Sequence, residues 1–277
     1  MKAKLFSYNL VDTYIHRLSG LTKLICFLCL TFSVMFSYDI RINLGILVFS
    51  FILLKISKIK FTQIKVMMIY VLVFLATNVI LTYFFAPEEG VRIYGTRHEL
   101  VRLFGHYTIT IEQLFYLITK FFKYASVVPL GIIFLLTTNP SEFAAALSGI
   151  GVSYKASYAV ALTLRYFPDV QREYHDISLS QQARGLEMSS KAKLWDRFKN
   201  SVLIVIPLIF STLDRVENIS NAMDLRGFGK EKKRTWYNRK KLTKEDYTAI
   251  AVSAGIFIAT ICITVFVNKS RFYNPFI

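Results

Sequence analysis

The sequence predicts an all-α integral membrane protein, with about five transmembrane helices and a cytoplasmic module of one short and two long amphipathic helices. Three observations predict it. Of 277 residues, 54% are hydrophobic and the mean hydropathy is +0.42, with the apolar residues gathered in blocks. Between the blocks, residues 154–227 hold two long helix-patterned segments, each closing on a small-residue, arginine, glycine signature. The net charge of +16 comes from lysines and arginines crowded into certain connectors, the pattern of the positive-inside rule. A nucleic-acid partner is excluded, because no basic stripe alternates with stacking aromatics and the aromatic residues sit largely in the apolar blocks.

The elements follow in order. Residues 1–20 form a polar, basic lead-in with interfacial aromatics Phe6, Tyr8 and Tyr14, and no signal-peptide pattern, so no cleaved leader is expected. Leu21 to Tyr38 is the first span, with Lys23 long enough to snorkel. Ile42 to Ile56 is a short second span bracketed by Arg41 and Lys55, and Val66 to Phe85 is a third. Ala86 to Thr110 is a polar insert, in which the alternation at Tyr107 to Thr110 signals a small strand. Ile111 to Leu136 is the fourth span, with a kink expected at Pro129 and with Lys120 and Lys123 facing a polar interior, a partner or the outer rim.

Asn139, Pro140 and Glu142 then read as a helix start, and a short amphipathic helix runs Pro140 to Ser148. The two long arms come next. In the second, Val202, Ile206, Ile209, Leu213, Val216, Ser220, Met223 and Gly227 step by fours and threes, a seam that faces a partner helix. The first steps through Val160, Leu164, Phe167, Tyr174 and Ile177, with the i,i+4 pairs Arg165/Asp169 and Arg172/Asp176 supporting it and His175 on the polar face. Neither arm spans a bilayer. The apolar run from Val202 to Leu213 ends at Asp214 and Arg215, and each buried charge would cost about 2.5–3.5 kcal/mol at the bilayer centre.

The chain thus divides into an N-terminal membrane part at 1–138, containing four spans and an extracellular insert at 86–110, and cytoplasmic helices at 139–229. A basic connector at 230–246 and a last span with its tail at 247–277 complete it. The lead-in and the second-to-third connector (Lys55, Lys58, Lys60, Lys65) are basic, whereas Asp39 offsets Arg41 and the insert balances its charges. The N-terminus is therefore expected in the cytoplasm and the C-terminus outside, with Lys269 and Arg271 a mild violation.

The first arm ends at Ala183-Arg184-Gly185 and the second at Leu225-Arg226-Gly227. Glycine just past a helix takes the left-handed cap conformation, so each arginine projects from a helix end. Its planar fork suits a groove of carboxylates and carbonyls. No Gly-rich Lys-Ser/Thr loop is present, so the chain is not expected to bind ATP itself. Cys26-x-x-Cys29 lies inside a span and reads as two small apolar residues, and His98 and His106 read as surface residues. No metal, cofactor or catalytic residue is expected, and the chain is not read as an enzyme.

The chain resembles the transmembrane T component of energy-coupling factor (ECF) transporters. The likeness runs through His16-Arg17-Leu18, Thr22-Lys23-Leu24, Leu164-Arg165-Tyr166-Phe167-Pro168, Ala183-Arg184-Gly185, Pro207 and Leu225-Arg226-Gly227-Phe228-Gly229. Leu225 stands where a smaller residue is common in that family, and the insert at 86–110 is long for it. The resemblance implies that the two arms are coupling helices crossing beneath the membrane, after a small one at Pro140 to Ser148. It implies that Ala183, Arg184, Gly185, Leu225, Arg226 and Gly227 dock two ABC ATPase subunits. A separate membrane-embedded S component would bind a vitamin or related micronutrient, and the complex would sit in the plasma membrane of a prokaryote. Small residues Ala156, Ala159 and Ala161 would form the surface on which that subunit slides. A self-contained ABC permease and a T component for cobalt or nickel are the alternative readings.

Overall fold

The computed structural model describes residues 13–59, 61–102, 108–187, 193–231, 235–236 and 240–276. The lead-in residues before Thr13, Lys60, the insert residues Gly105, His106 and Tyr107, and parts of the basic connector lie outside the described residues. The chain forms two compact units, one of 1–139 with 240–277 and one of 140–239.

In the first unit, α1 (Tyr14–Arg17) leads into α2 (Gly20–Phe36) and α3 (Ile40–Ile56). The turn between α2 and α3 is tight, because Ser37 and the Asp39 cap end one helix and start the next. Asp39 accepts from the Arg41 backbone N–H at 3.0 Å. Helix α4 (Phe61–Phe85) follows, then a small cap of α5 (Glu89–Tyr94) and an antiparallel hairpin of β1 (Glu99–Arg102) and β2 (Thr108–Thr110). Thr110 ends β2 and caps α6 (Ile111–Thr137), its hydroxyl accepting from the Gln113 N–H. The expected strand at 107–110 is thus present from Thr108, paired with a partner strand the alternation did not signal. The later helix α10 (Lys244–Cys262) opens on a capping box between Thr243 and Asp246 and continues as a π-helical turn, Ile263–Val267.

Helix α6 is the axis of this unit and packs against α2, α3, α4 and α5, while α10 packs on α2. It runs as one helix through the buried Pro129. Leu30, Val34, Ile46 and Leu130 form its apolar centre. Among the described residues, three helical stretches are long and apolar enough to cross a membrane: Ile64–Phe85, Ile111–Thr137 and Lys244–Val267. Helices α2 and α3, at 17 residues each, rise about 26 Å, slightly less than a hydrocarbon core.

The buried lysines correct one expectation. Lys23 does not snorkel. It is buried, and its ammonium donates to the Thr137 carbonyl at 2.7 Å and the His16 carbonyl at 3.2 Å. Thr137 is the last residue of α6, so a lysine from the first turn of α2 satisfies the carbonyl end of its neighbour. The converse holds at the other end. Lys123 of α6 is buried, donates to the Met35 carbonyl in the last turn of α2 at 2.8 Å, and lies 3.3 Å over the Tyr38 ring. Lys120 donates to the Thr82 hydroxyl of α4. Both lysines of the fourth span therefore face the interior of the unit.

The C-terminal tail closes the end that carries the α2–α3 turn and the insert. The Arg271 carbonyl accepts from the Tyr38 N–H at 2.8 Å, and Phe272 stacks on Tyr38. Asn268 donates to the buried Asp39 carboxylate, and Arg41 binds the same carboxylate and lies over Tyr273. Burial raises the Asp39 pKa, but the hydrogen bonds from Arg41 and Asn268 outweigh it and hold the carboxyl below its ordinary value. Phe276 joins Tyr94 and Phe115, and Asn274 donates to the Tyr94 carbonyl. The tail is thereby held against this end of the unit, while the side chains of Lys269 and Arg271 stay exposed.

Removing either lysine cap strands buried carbonyls. Lys23→Met and Lys123→Met should each cost about 1–3 kcal/mol. The check is a lowered thermal melting point of the protein in detergent. Unchanged melting in both would contradict the reciprocal capping.

Candidate functional site

The second unit is built on two long helices. A short helix, α7 (Pro140–Gly149), precedes them and buries Ala144, Ala145 and Ala146 as it packs on α8 (Tyr154–Ala183). Helix α9 (Leu194–Leu225) follows. The two run in opposite directions, as three contacts show. The Glu187 carbonyl accepts from Asn200 at 3.0 Å, near the end of α8 and the start of α9. Midway, Glu173 of α8 accepts from the Ser211 hydroxyl and, at 2.8 Å, from the Arg215 guanidinium. At the start of α8, Tyr154 and Tyr158 pack their rings at a tilt against Phe228, with ring centroids 5.1 and 4.9 Å away.

Both arms end in the same way. At α8, the Leu186 N–H donates to the Gln181 carbonyl at 3.1 Å and the Gly185 N–H to Gln182 at 3.0 Å. At α9, the Phe228 N–H donates to Met223 at 2.9 Å and the Gly227 N–H to Asp224 at 2.9 Å. This six-to-one and five-to-two pairing is the Schellman motif, and it requires a left-handed residue. Gly185 has φ +92 and Gly227 has φ +65. The arginine before each glycine is the cap residue, with φ −85, ψ 9 at Arg184 and φ −84, ψ 8 at Arg226. The two signatures are thus the same local structure made twice.

Ala183, Arg184, Gly185, Leu225 and Arg226 are exposed, Leu225 to 90%, and Gly227 is half-buried. Because Arg226 adjoins the start of α8 and Arg184 stands at its end, the length of α8 separates them. For 30 residues that length is about 45 Å. The tips differ in their surroundings. Arg226 lines a cavity of about 520 Å³ with Tyr154, Tyr158, Arg165, Tyr166 and Met223. Trp236 extends the aromatic wall from Tyr158.

The seam expected in α9 does not face α8. Val202, Ile206, Ile209, Leu213 and Val216 are all exposed, while Ile204, Ser211 and Arg215 lie on the face toward α8. The apolar stripe is real, but the helix pair leaves it uncovered. On α8, Arg172 pairs with Asp169 at 3.6 Å rather than with Asp176, and Arg165 lies 5.9 Å from the Tyr166 ring. His175 is exposed. Of the small residues, Ala156 and Ala159 are exposed and Ala161 is half-buried.

Sequence reasoning passed over the Glu173 tie and the aromatic cluster at the second tip. Their signal was available: a serine and an arginine one turn apart, and an aromatic residue directly after the second Arg-Gly. Among the described residues no group of three or more His, Cys, Asp or Glu could hold a metal. His98 of the insert donates its backbone N–H to Glu112 in the first turn of α6, whose carboxylate lies 2.6 Å from the imidazole Nδ1, while His106 lies outside the described residues.

The family model described as CbiQ, cobalt transport protein, matches residues 12–237. An energy-coupling factor transporter transmembrane protein EcfT of Exiguobacterium sibiricum is 25% identical over 242 residues, covering 84% of this chain and 88% of that protein. Its counterpart in Thermotoga maritima is 24% identical over 258 residues, covering 91% and 90%. That of Limosilactobacillus fermentum is 32% identical over 106 residues, 37% of this chain and 39% of the relative.

The caps are directly testable. A Cβ at position 185 meets no neighbour within 4 Å, so Gly185→Ala adds only left-handed strain, about 1–2 kcal/mol. Hydrogen exchange at the 185 and 186 amides should then quicken about tenfold. Unchanged protection would contradict the cap.

Proposed function

The chain belongs to the CbiQ cobalt transport protein family, and we propose that it is the energy-transducing T component of an ECF-type importer. In this role it couples ATP hydrolysis by two partner ABC ATPases to uptake of a vitamin or related micronutrient, delivered through a substrate-binding S component. It is a transport subunit and performs no chemistry of its own.

The observation that carries this reading is the duplicated arginine cap. A transmitter needs a stiff element with a fixed contact for each motor. The antiparallel pair, tied by Glu173 to Ser211 and Arg215, supplies the stiffness. Arg184 and Arg226 supply two contacts of identical backbone geometry, about 45 Å apart along α8. Each guanidinium would enter a groove of carboxylates and carbonyls on its own ATPase, with Ala183, Gly185, Leu225 and Gly227 allowing close approach. Exposed Ala156 and Ala159 and the uncovered stripe of α9 around Leu213 and Val216 support a sliding seat for the S component.

In the membrane, α2 and α3 would complete a five-span bundle with the three longer helices. The basic connector around Lys55, Lys58 and Lys65 supports a cytoplasmic N-terminus in the plasma membrane. A second reading keeps the coupling role and changes the cargo to cobalt or nickel, and a family of cobalt transport proteins favours it. The S component that accompanies the chain decides between the cargoes.

Substrate uptake by cells carrying Arg184→Glu or Arg226→Glu should fall at least tenfold, and the double variant should transport nothing. Normal uptake by the double variant, at normal abundance in the membrane, would remove the mechanism.

A further inference from the structure

We infer that the turn from His16 to Lys23 is a clamp that holds both roots of the coupling helices as one rigid element. The chain enters residues 140–239 after Asn139 and returns to the first unit at Lys240. The first root is the end of α6, and the second is the start of α10. Both bind the same short turn. Lys23, at the start of α2, donates to the carbonyl of Thr137, the last residue of α6, at 2.7 Å and to the His16 carbonyl at 3.2 Å. Just before it, the Ser19 backbone N–H donates to the Asp246 carboxylate at 2.8 Å. The other oxygen of that carboxylate accepts from the Thr243 N–H at 2.8 Å and closes the cap of α10.

One carboxylate thus serves the N-termini of two helices, α2 and α10, and one lysine serves the C-terminus of a third. Ser19, Thr22, Lys23, Thr137 and Asp246 are all buried. Water cannot replace these bonds, so breaking one strands a charge or a backbone group. The Ser19 hydroxyl accepts from the Thr22 N–H, which fixes the turn itself. A displacement of the arms therefore reaches the first unit at two chain connections that cannot move apart. Lys23 and Asp246 are the positioning residues of this clamp. The inference rests on the transmitter role proposed above and adds the fixed point that a transmitter needs.

Spin labels at Leu135→Cys and Tyr247→Cys report the distance between the roots. Both positions are exposed, in the last turn of α6 and the first turn of α10. Cys26, Cys29 and Cys262 are first changed to Ser. The full chain is captured from host membranes with its ATPases and measured by pulsed electron resonance with and without ATP. With the clamp intact, the distance should be narrowly distributed and unchanged by ATP. In Lys23→Met or Asp246→Asn the distribution should broaden about twofold and shift with ATP. Asp246→Asn keeps the side-chain shape and carries the test where Lys23→Met does not accumulate. Lys123→Met removes the cap at the other end of α2 and touches neither root, so its distance should stay narrow. Equal broadening in Lys123→Met would overturn the clamp and assign the effect to lost stability. Narrow, ATP-independent distances in both clamp variants would also overturn it. An ATPase-bound chain with the clamp intact, whose root distance shifts with ATP, would overturn the clamp alone. Capture of that chain without any ATPase would remove the transmitter role and the clamp with it.

Discussion

A helix ends by leaving carbonyls without partners, and that constraint shapes both units of this protein. Inside the apolar unit no water can satisfy them, so neighbours do. Lys23 reaches from the start of α2 to the end of α6, and Lys123 reaches from α6 to the end of α2. Two antiparallel helices thus hold each other in register, each lending a charge to the other's negative pole. A long side chain with a desolvated ammonium is stable there only because the carbonyls are close and correctly aimed.

The arms answer the same constraint with backbone alone. A left-handed glycine folds the chain back so that its own amides satisfy the last turn. No side chain is consumed in doing so, and the arginine at the cap position is set outward on a rigid base. Two arms, one geometry and opposite directions place two cationic forks at the ends of one stiff element. Both arginines are exposed, and Arg226 also borders an aromatic-walled cavity.

Much of this was legible in the sequence, for physical reasons. Apolar blocks report spans because hydrocarbon tolerates little else, and α4, α6 and α10 fall where the blocks do. Pro140 announced the start of α7, since its missing N–H and fixed φ suit a first turn. Glycines after arginines announced the caps. Periodicity found the stripe on α9 and expected a partner helix over it, but α8 packs on another face, because a pattern records an apolar face and is silent on what covers it. Lys23 was misread as snorkelling because its acceptor lies 114 positions away, and no local signal carries that contact. The strand β1 was missed because Glu99 to Arg102 lacks alternation, and its pairing is supplied by β2.

The central claim is that each arginine cap holds one ATPase. Capture of the chain from host membranes, with bound ATPases counted by native mass spectrometry, tests it most directly. The account predicts two ATPases on the wild type and one on either Arg184→Glu or Arg226→Glu, with none on the double variant. A wild-type chain captured alone, or a double variant that keeps both ATPases, would contradict it.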